Sequence, residues 1–126
     1  MSGTQPTLIP IYTTKGDAEA FLLYPYLFNR SGEWIGFVTP KRDVYSVLGE
    51  FVGTLTSDPR IVGKRATSTL RPRLKPPPRP PKVYLPATVP LPRMMPDLNH
   101  STIDVLLDAP ERLHTLDSGE NRPDMD

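Results

Sequence analysis

The stretch GEWIGFVT at residues 32–39 is repeated as GEFVGTLT at residues 49–56. Both copies read glycine, glutamate, aromatic, β-branched residue, glycine, any residue, apolar residue and threonine, at an offset of 17 positions. A fixed offset implies that one supersecondary unit is used more than once. Runs suited to strands, residues 24–28 and 44–47, precede the two copies. Each unit is therefore predicted to be a β-hairpin.

The predicted turns support hairpins. Asn29 and Gly32 stand at the first and fourth positions of a predicted type I turn that closes with a left-handed glycine. Gly49, after Leu48, predicts a tighter version of this turn. In mid-strand, Gly36 and Gly53 suggest a bend or close backbone packing, because glycine otherwise weakens a strand.

Further short runs extend the pattern on both sides. Residues 61–64 (IVGK) echo the repeat, and residues 9–12 supply a possible first strand. We therefore predict an all-β fold, a small meander of repeated, petal-like hairpins, followed by an extended proline-rich arm and a short helical C-terminal segment. The predicted domains are residues 1–66, the connector 67–97 and the docking segment 98–126. So small a meander needs more core, from closure of the hairpins, packing of the tail or self-association.

The same residues carry a family resemblance. The run YLFNRSGE at residues 26–33, followed by WIGF at 34–37, resembles the 4-fold beta flower proteins, a family of uncharacterised bacterial proteins, and so do VY at 44–45 and GEFVG at 49–53. The resemblance covers about half of the chain and implies β-hairpins arranged like petals. It implies no catalytic residue.

The connector is rich in proline and in positive charge. Ten prolines lie between Pro72 and Pro96, and residues 60–93 hold nine basic residues and no acidic one. Such a stretch favours the polyproline II conformation and reaches about 75 Å at ~3.1 Å per residue. We interpret it as a linker or strap in preference to a groove ligand built on Pro77, Arg79 and Pro80. Its single aromatic residue, Tyr84, argues against a stacking surface for nucleic acid.

The C-terminal segment carries two helix-start signals. Ser101 and Asp104 form a capping box, and Asp108 and Glu111 form a second around Pro110, so two short helical turns are predicted up to about residue 115. Because so short a helix is unstable alone, it should dock on its own domain or on another chain. The long connector favours another chain, through five apolar residues: Ile103, Leu106, Leu107, Leu113 and Leu116.

Several function classes find no support in the sequence. The chain has no cysteine, and His100 and His114 lack the spacing of a metal site. No glycine-rich phosphate loop occurs. We therefore expect no enzyme activity, no cofactor and no bound metal. The chain also has no apolar run long enough to span a membrane and no secretion signal, so we expect a cytoplasmic protein.

These observations predict a non-enzymatic accessory or assembly subunit. It would bind a protein partner or a neighbouring subunit through the hairpin module, the arm and the C-terminal anchor, and a homo-oligomer is one form of this. The predicted partner-binding residues are Ile103, Leu106, Leu107, Leu113, Leu116, Pro77, Arg79 and Pro80. The alternative is binding to nucleic acid or another anionic surface through the basic arm at residues 60–93.

Overall fold

The computed structural model describes residues 8–65 and 71–116. Its eight strands form one antiparallel sheet in sequence order, which confirms the all-β meander. The strands are β1 Ile9–Tyr12, β2 Ala18–Leu23, β3 Tyr26–Asn29, β4 Trp34–Val38, β5 Asp43–Ser46, β6 Phe51–Leu55, β7 Ile61–Lys64 and β8 Thr102–Asp104.

Four hairpins close through turns of the same form, at residues 13–16, 29–32, 39–42 and 46–49. The last residue of each turn has a positive φ, 93° at Gly16, 81° at Gly32, 69° at Arg42 and 84° at Gly49. The prediction for Gly32 is confirmed. The prediction of a tighter turn at Gly49 is wrong, because this turn has the same four-residue form as the turn at Gly32. In both turns the side chain of the first residue accepts a hydrogen bond from the N–H two residues later: Asn29 accepts from Ser31, and Ser46 accepts from Leu48.

The mid-strand glycines mark repeated irregularities. A Cβ at Gly36 would overlap the carbonyl oxygen of Tyr45, and one at Gly53 would overlap that of Val62. Close backbone packing is thus confirmed. The register also shifts beside each glycine, between β3 and β4 and between β5 and β6, so the repeat conserves a bulge as well as a sequence.

The region before the first repeat holds a strand that the sequence reading did not separate. Residues 18–23 form β2, Tyr24 and Pro25 form the turn, and β3 begins at Tyr26. The predicted strand start at residue 24 is therefore wrong. The peptide bond between Tyr24 and Pro25 is cis.

The chain's C-terminal segment completes the core. Ile103, Val105 and Leu113 are at most 6% exposed, and the last two pack in the main core cluster with side chains of the first seven strands. Of the three sources of additional core that the sequence left open, packing of the tail is present in this chain.

The helical prediction needs a correction. Residues 102–104 form β8, and the helix α1, Val105–Asp108, begins three residues later than the capping box at Ser101 predicts. Tertiary pairing prevails over the local signal, because Val62 and Lys64 of β7 pair with Asp104 and Thr102. A 3₁₀ turn at Pro110–Arg112 confirms the second short helical turn.

The sheet curls back on itself. The N–H of Tyr12, at the end of β1, donates to the carbonyl of Pro59 in the turn before β7, at 3.1 Å. Next to β7 and β8, the N–H of Arg65 donates to the carbonyl of Ser101 at 2.9 Å, so the long connection between these strands leaves and returns at one point. Among residues 8–65 and 71–116, no helix is long and apolar enough to cross a membrane.

Candidate functional site

The most distinctive surface of the molecule is the extended segment 71–100, here called the strap. It passes over three hairpin turns of its own chain in reverse order, at points called the first, second and third crossings. At the first crossing the N–H of Leu74 donates to the carbonyl of Gly49 at 3.0 Å. At the second the N–H of Val83 donates to the carbonyl of Gly32 at 3.1 Å, and at the third Pro92 lies against Gly16.

The crossings repeat along both partners. Leu74, Val83 and Pro92 are nine residues apart, and Gly49 and Gly32 are separated by the 17-residue repeat of the sheet. Nine residues are three turns of polyproline II, so each crossing presents the same face of the strap. The third crossing has no backbone bond from Pro92, because proline has no N–H to donate.

Glycine is needed at the first two crossings for a second reason besides its φ. A Cβ at Gly49 would overlap the carbonyl oxygen of Leu74, and a Cβ at Gly32 would overlap that of Val83. At Gly16 the nearest strap atom, Cγ of Pro92, would lie 3.7 Å from a Cβ, an ordinary contact. The strap can therefore approach the turns at the first and second crossings only because Gly49 and Gly32 have no side chain.

The strap's inner face follows a three-residue period. Every third residue from Pro77 onward is apolar, and all of them except Pro86 are partly shielded from solvent. This period is that of polyproline II, and it is the sequence signal that sequence reasoning missed. The inner row consists of Pro77, Pro80, Val83, Pro86, Val89, Pro92, Met95 and Leu98.

Side chains of the sheet add bonds to strap carbonyls. The hydroxyl of Tyr26 donates to Pro78 at 3.0 Å, and that of Tyr12 donates to Pro90 at 2.5 Å. The guanidinium of Arg60 donates to Pro96 at 3.1 Å. Proline carbonyls thus remain useful acceptors where proline nitrogens cannot donate.

The bond to Pro96 belongs to a buried polar network. Arg60 is 2% exposed and Asp104 is 1% exposed. The hydroxyl of Thr14 accepts from Arg60 at 2.9 Å and donates to Asp104 at 2.6 Å, which joins the two charged groups. This network connects the first hairpin turn, the end of the strap and β8.

Asp58 supports Arg60 from the turn before β7. It accepts from Arg60 at 3.0 Å and from the hydroxyl of Thr56. Burial by itself raises the pKa of Asp58. The hydrogen bonds and the charge of Arg60 lower it and together outweigh burial, so the pKa of Asp58 lies below its ordinary value.

The first crossing is neutralised within the chain. Arg73 pairs with Glu50 at 2.9 Å, and Arg71 pairs with Asp43 at 3.1 Å. Arg71 also lies 4.0 Å from the centre of the Phe51 ring, a cation–π contact. Hydrogen bonds to Tyr45 and Asp43 raise the pKa of Arg71.

The second crossing is left open. A cleft of about 550 Å³ lies between the hairpin turn and the strap, lined by Arg30, Ser31 and residues 82–86. Within the described ranges Lys82 has no ion pair, and Arg30 has only a long one, 3.8 Å from Glu19. Tyr84 at the same cleft is 98% exposed. Two cations, a hydroxyl and an aromatic ring therefore face solvent together.

A second, larger concavity lies at the C-terminal segment. Its volume is about 880 Å³, and glutamates line it together with apolar side chains and His114. The ring of His114 contacts the carbonyl of Thr115 at 3.0 Å, and His100 is exposed. Among the residues that the structure describes, no three His, Asp or Glu side chains are grouped so as to hold a metal ion.

The predicted partner-binding residues fall into two groups in the structure. The C-terminal ones lie against their own chain: Ile103 and Leu113 are buried, Leu106 packs on the main core, Leu116 packs beside Trp34, and Leu107 is half-buried.

The strap residues divide by face. Pro77 and Pro80 belong to the inner row, whereas Arg79 is exposed and has no ion pair among the described residues. Sequence reasoning did not single out Arg30 or Lys82 for partner binding, because the cleft forms only when the strap meets the turn.

Comparison with known proteins gives one result. A family model described as 4-fold beta flower protein matches residues 9–102, from β1 to the start of β8 and including the whole strap. Neither a search of curated proteins nor a search of solved structures found a match.

Proposed function

The chain belongs to the 4-fold beta flower protein family, and on this scaffold we propose that it is a non-catalytic interaction subunit that offers the outer side of its strap to a protein partner. One observation carries the proposal. Three large apolar side chains of the strap are almost completely exposed, Tyr84 at 98%, Leu91 at 91% and Met94 at 97%, although the strap's backbone is bonded to the sheet. Exposed apolar side chains on an anchored segment are typical of binding surfaces.

The anchoring favours binding. An extended proline-rich segment loses little conformational freedom when a partner binds, and the crossings reduce that loss further. Aromatic residues and methionine are also enriched at protein interfaces. The strap thus combines low ordering cost with large contact area.

The C-terminal apolar residues have a different part in this proposal. Ile103, Leu106, Leu113 and Leu116 pack in the core of their own chain, Leu107 is half-buried, and in this proposal the outer strap takes the partner-binding part. Of the strap residues predicted from sequence, Arg79 stays in the proposed interface.

Binding to an anionic surface is the second candidate. The observation in its favour is that Lys75, Arg79, Lys82 and Arg93 are exposed and unpaired among the described residues. Arg71 and Arg73 are already neutralised, which reduces the charge available to phosphates. Salt separates the two candidates, because binding to phosphates falls steeply with ionic strength.

Affinity capture from extract of the source cells tests the proposal. The full chain is compared with the strap variant Tyr84→Ser/Leu91→Ser/Met94→Ser and with a control, Ile9→Thr/Tyr24→Ser, which changes exposed apolar residues outside the strap and its crossings. We expect a protein recovered in fixed ratio by the native and control chains, at moderate and high salt, and lost by the strap variant. Equal recovery by both variants would contradict the proposal.

A further inference from the structure

The second crossing has the same backbone as the first but different side chains. By the 17-residue repeat, Arg30 and Ser31 are equivalent to Val47 and Leu48 in the turn at the first crossing. By the nine-residue strap spacing, Lys82 stands where the first crossing has Arg73. The positions are equivalent, so the side chains alone distinguish the two crossings.

The carboxylates at the two crossings also behave differently. Glu50 pairs with Arg73 at the first crossing. Its equivalent at the second, Glu33, instead accepts from the side chain of Asn29 at 3.3 Å, and no ion pair forms between Glu33 and Lys82. The second crossing therefore keeps one cation, Lys82, without an ion pair among the described residues, and a second, Arg30, whose ion pair with Glu19 is long, at 3.8 Å.

We propose that the cleft at the second crossing binds a carboxylate of an extended acidic segment in a protein partner, and that Leu91 and Met94 bind an apolar pair of the same segment. This inference rests on the proposed function and adds the chemistry and spacing of the partner. Charge complementarity selects the acidic element, since Arg30 and Lys82 flank the cleft. The arginine fork and the Ser31 hydroxyl suit a planar carboxylate.

The cleft is held in place before a partner arrives. Val83, between Lys82 and Tyr84, donates its N–H to Gly32, and Arg30 belongs to the same turn as Gly32. Val83 also packs beside Phe28, Trp34 and Val47. The lining side chains thus start from fixed backbone positions, which lowers the entropy cost of binding.

The distribution of charge argues for a peptide in preference to a nucleic acid. Residues 83–92 carry no charged side chain, so the positive charge of the strap stops after Lys82 and resumes only at Arg93. A phosphate backbone carries regularly spaced charge and would meet this neutral stretch unpaired. A segment with one acidic end and one apolar end fits both parts.

The spacing follows from the strap's period. Lys82 and Leu91 are nine residues apart and lie on one outer face of the strap. Arg79, one turn before Lys82, and Met94, one turn after Leu91, lie on the same face. Nine residues of polyproline II have a contour of about 28 Å. An extended partner at about 3.3 Å per residue covers that length in eight or nine residues.

Synthetic peptides test the spacing directly. Each fluorescent peptide carries two glutamates and a Leu-Leu pair, separated by uncharged spacers that place the two elements three, six, nine or twelve residues apart. Fluorescence anisotropy with the full chain measures their affinity at physiological salt. We expect the nine-residue spacing to bind at least fivefold tighter than the three-residue spacing, because only it reaches both subsites. Affinity that is independent of spacing, or no binding of any peptide, would overturn the inference.

Matched variants test the cleft. Arg30→Gln/Lys82→Gln is expected to weaken the best peptide about tenfold, because it removes charge-assisted hydrogen bonds. The control Arg71→Gln/Arg73→Gln, at the neutralised first crossing, is expected to change the affinity less than twofold. Equal effects of the two variants would overturn the carboxylate subsite. So would a single-stranded DNA of equal charge that competes better than the peptide.

The capture experiment keeps the two proposals apart. If peptide affinity is independent of spacing but the Tyr84/Leu91/Met94 variant still loses its captured protein, the subsite assignment fails and the interaction function stands. If the captured proteins are also unchanged, both fail.

Discussion

The first and second crossings of the strap are built alike and left in different chemical states. In both, a strap N–H donates to the carbonyl of a turn glycine, at 3.0 Å and 3.1 Å. At the first crossing the nearby cations Arg71 and Arg73 are paired with carboxylates, whereas at the second Lys82 is unpaired among the described residues. The comparison shows that the backbone hydrogen bonds, which both crossings share, hold the strap on the sheet. The unpaired side chains at the second crossing are the candidate interface.

The largest expected effect comes from adding a side chain at these crossings. Gly32→Ala and Gly49→Ala should each lower the free energy of unfolding by about 2–4 kcal/mol, through left-handed strain, overlap with the strap carbonyl and loss of a hydrogen bond. Urea denaturation of the full chain measures this.

Gly16→Ala is the matched control. It has the same sign of φ, and its Cβ would meet only Cγ of Pro92 at 3.7 Å. Its expected cost is therefore the left-handed strain alone, about 1 kcal/mol. Equal losses of unfolding free energy in all three variants would mean that overlap with the strap contributes nothing to the cost, and would contradict this account.

Removing a side-chain bond to the strap should cost less. Tyr12→Phe deletes the hydroxyl that donates to Pro90, and since Tyr12 is 4% exposed, the expected loss is about 1 kcal/mol. Tyr26→Phe removes an exposed bond to Pro78, and its loss should be under about 0.5 kcal/mol. Thermal unfolding of both variants ranks the two bonds. The reverse order would contradict the assigned strengths.

The end of the strap should be sensitive to acid. The folded pKa of Asp58 is lowered, so its contribution to stability is complete above its ordinary pKa, 3.8, and is lost as the pH falls through the lower folded value. Asp58→Asn should be less stable than the native chain at pH 7, and the difference should shrink toward pH 2. Urea denaturation over this pH range measures it; a difference that grows with acid would contradict the assignment.

The smallest effect concerns the first crossing's ion pair. Arg73→Gln should change the free energy of unfolding by no more than about 0.5 kcal/mol, because the side chains of Arg73 and Glu50 are 67% and 53% exposed. Whatever effect exists should fade in 1 M salt. A salt-independent loss above 1 kcal/mol would show that the pair, and not the backbone bond, holds this crossing.

The hairpin repeat could be predicted because its determinants are local. Gly32 and Asn29 specify a turn within four residues, and the strands of the repeat alternate around it. The meander, β7 and the family resemblance follow from such short patterns. The strand before Tyr26 was harder to separate, since residues 20–28 form a nearly continuous apolar run broken only by Pro25.

The C-terminal prediction was wrong where tertiary pairing prevailed. Ser101 and Asp104 carry a capping signal, but β7 needs a partner strand, and the pairing of Lys64 with Thr102 converts the predicted first helical turn into β8. Local propensity cannot register a partner nearly 40 residues away.

The strap was predicted only in part. Its extended conformation follows from proline content, and its apolar three-residue period was readable but was missed. The open cleft was not readable, because it depends on Lys82 meeting Arg30 across separate parts of the chain. Knowing the 17-residue repeat alone gives no indication of which crossing would be neutralised.

Amide hydrogen exchange on the full chain tests the central claim, that the strap is fastened to its own turns through two backbone bonds. The N–H groups of Leu74 and Val83 are predicted to exchange at least tenfold more slowly than those of their neighbours Lys75 and Tyr84, because only the first pair donates to glycine carbonyls. Gly32→Ala should abolish protection at Val83 and leave Leu74 protected. Exchange of all four amides at one rate would contradict the account.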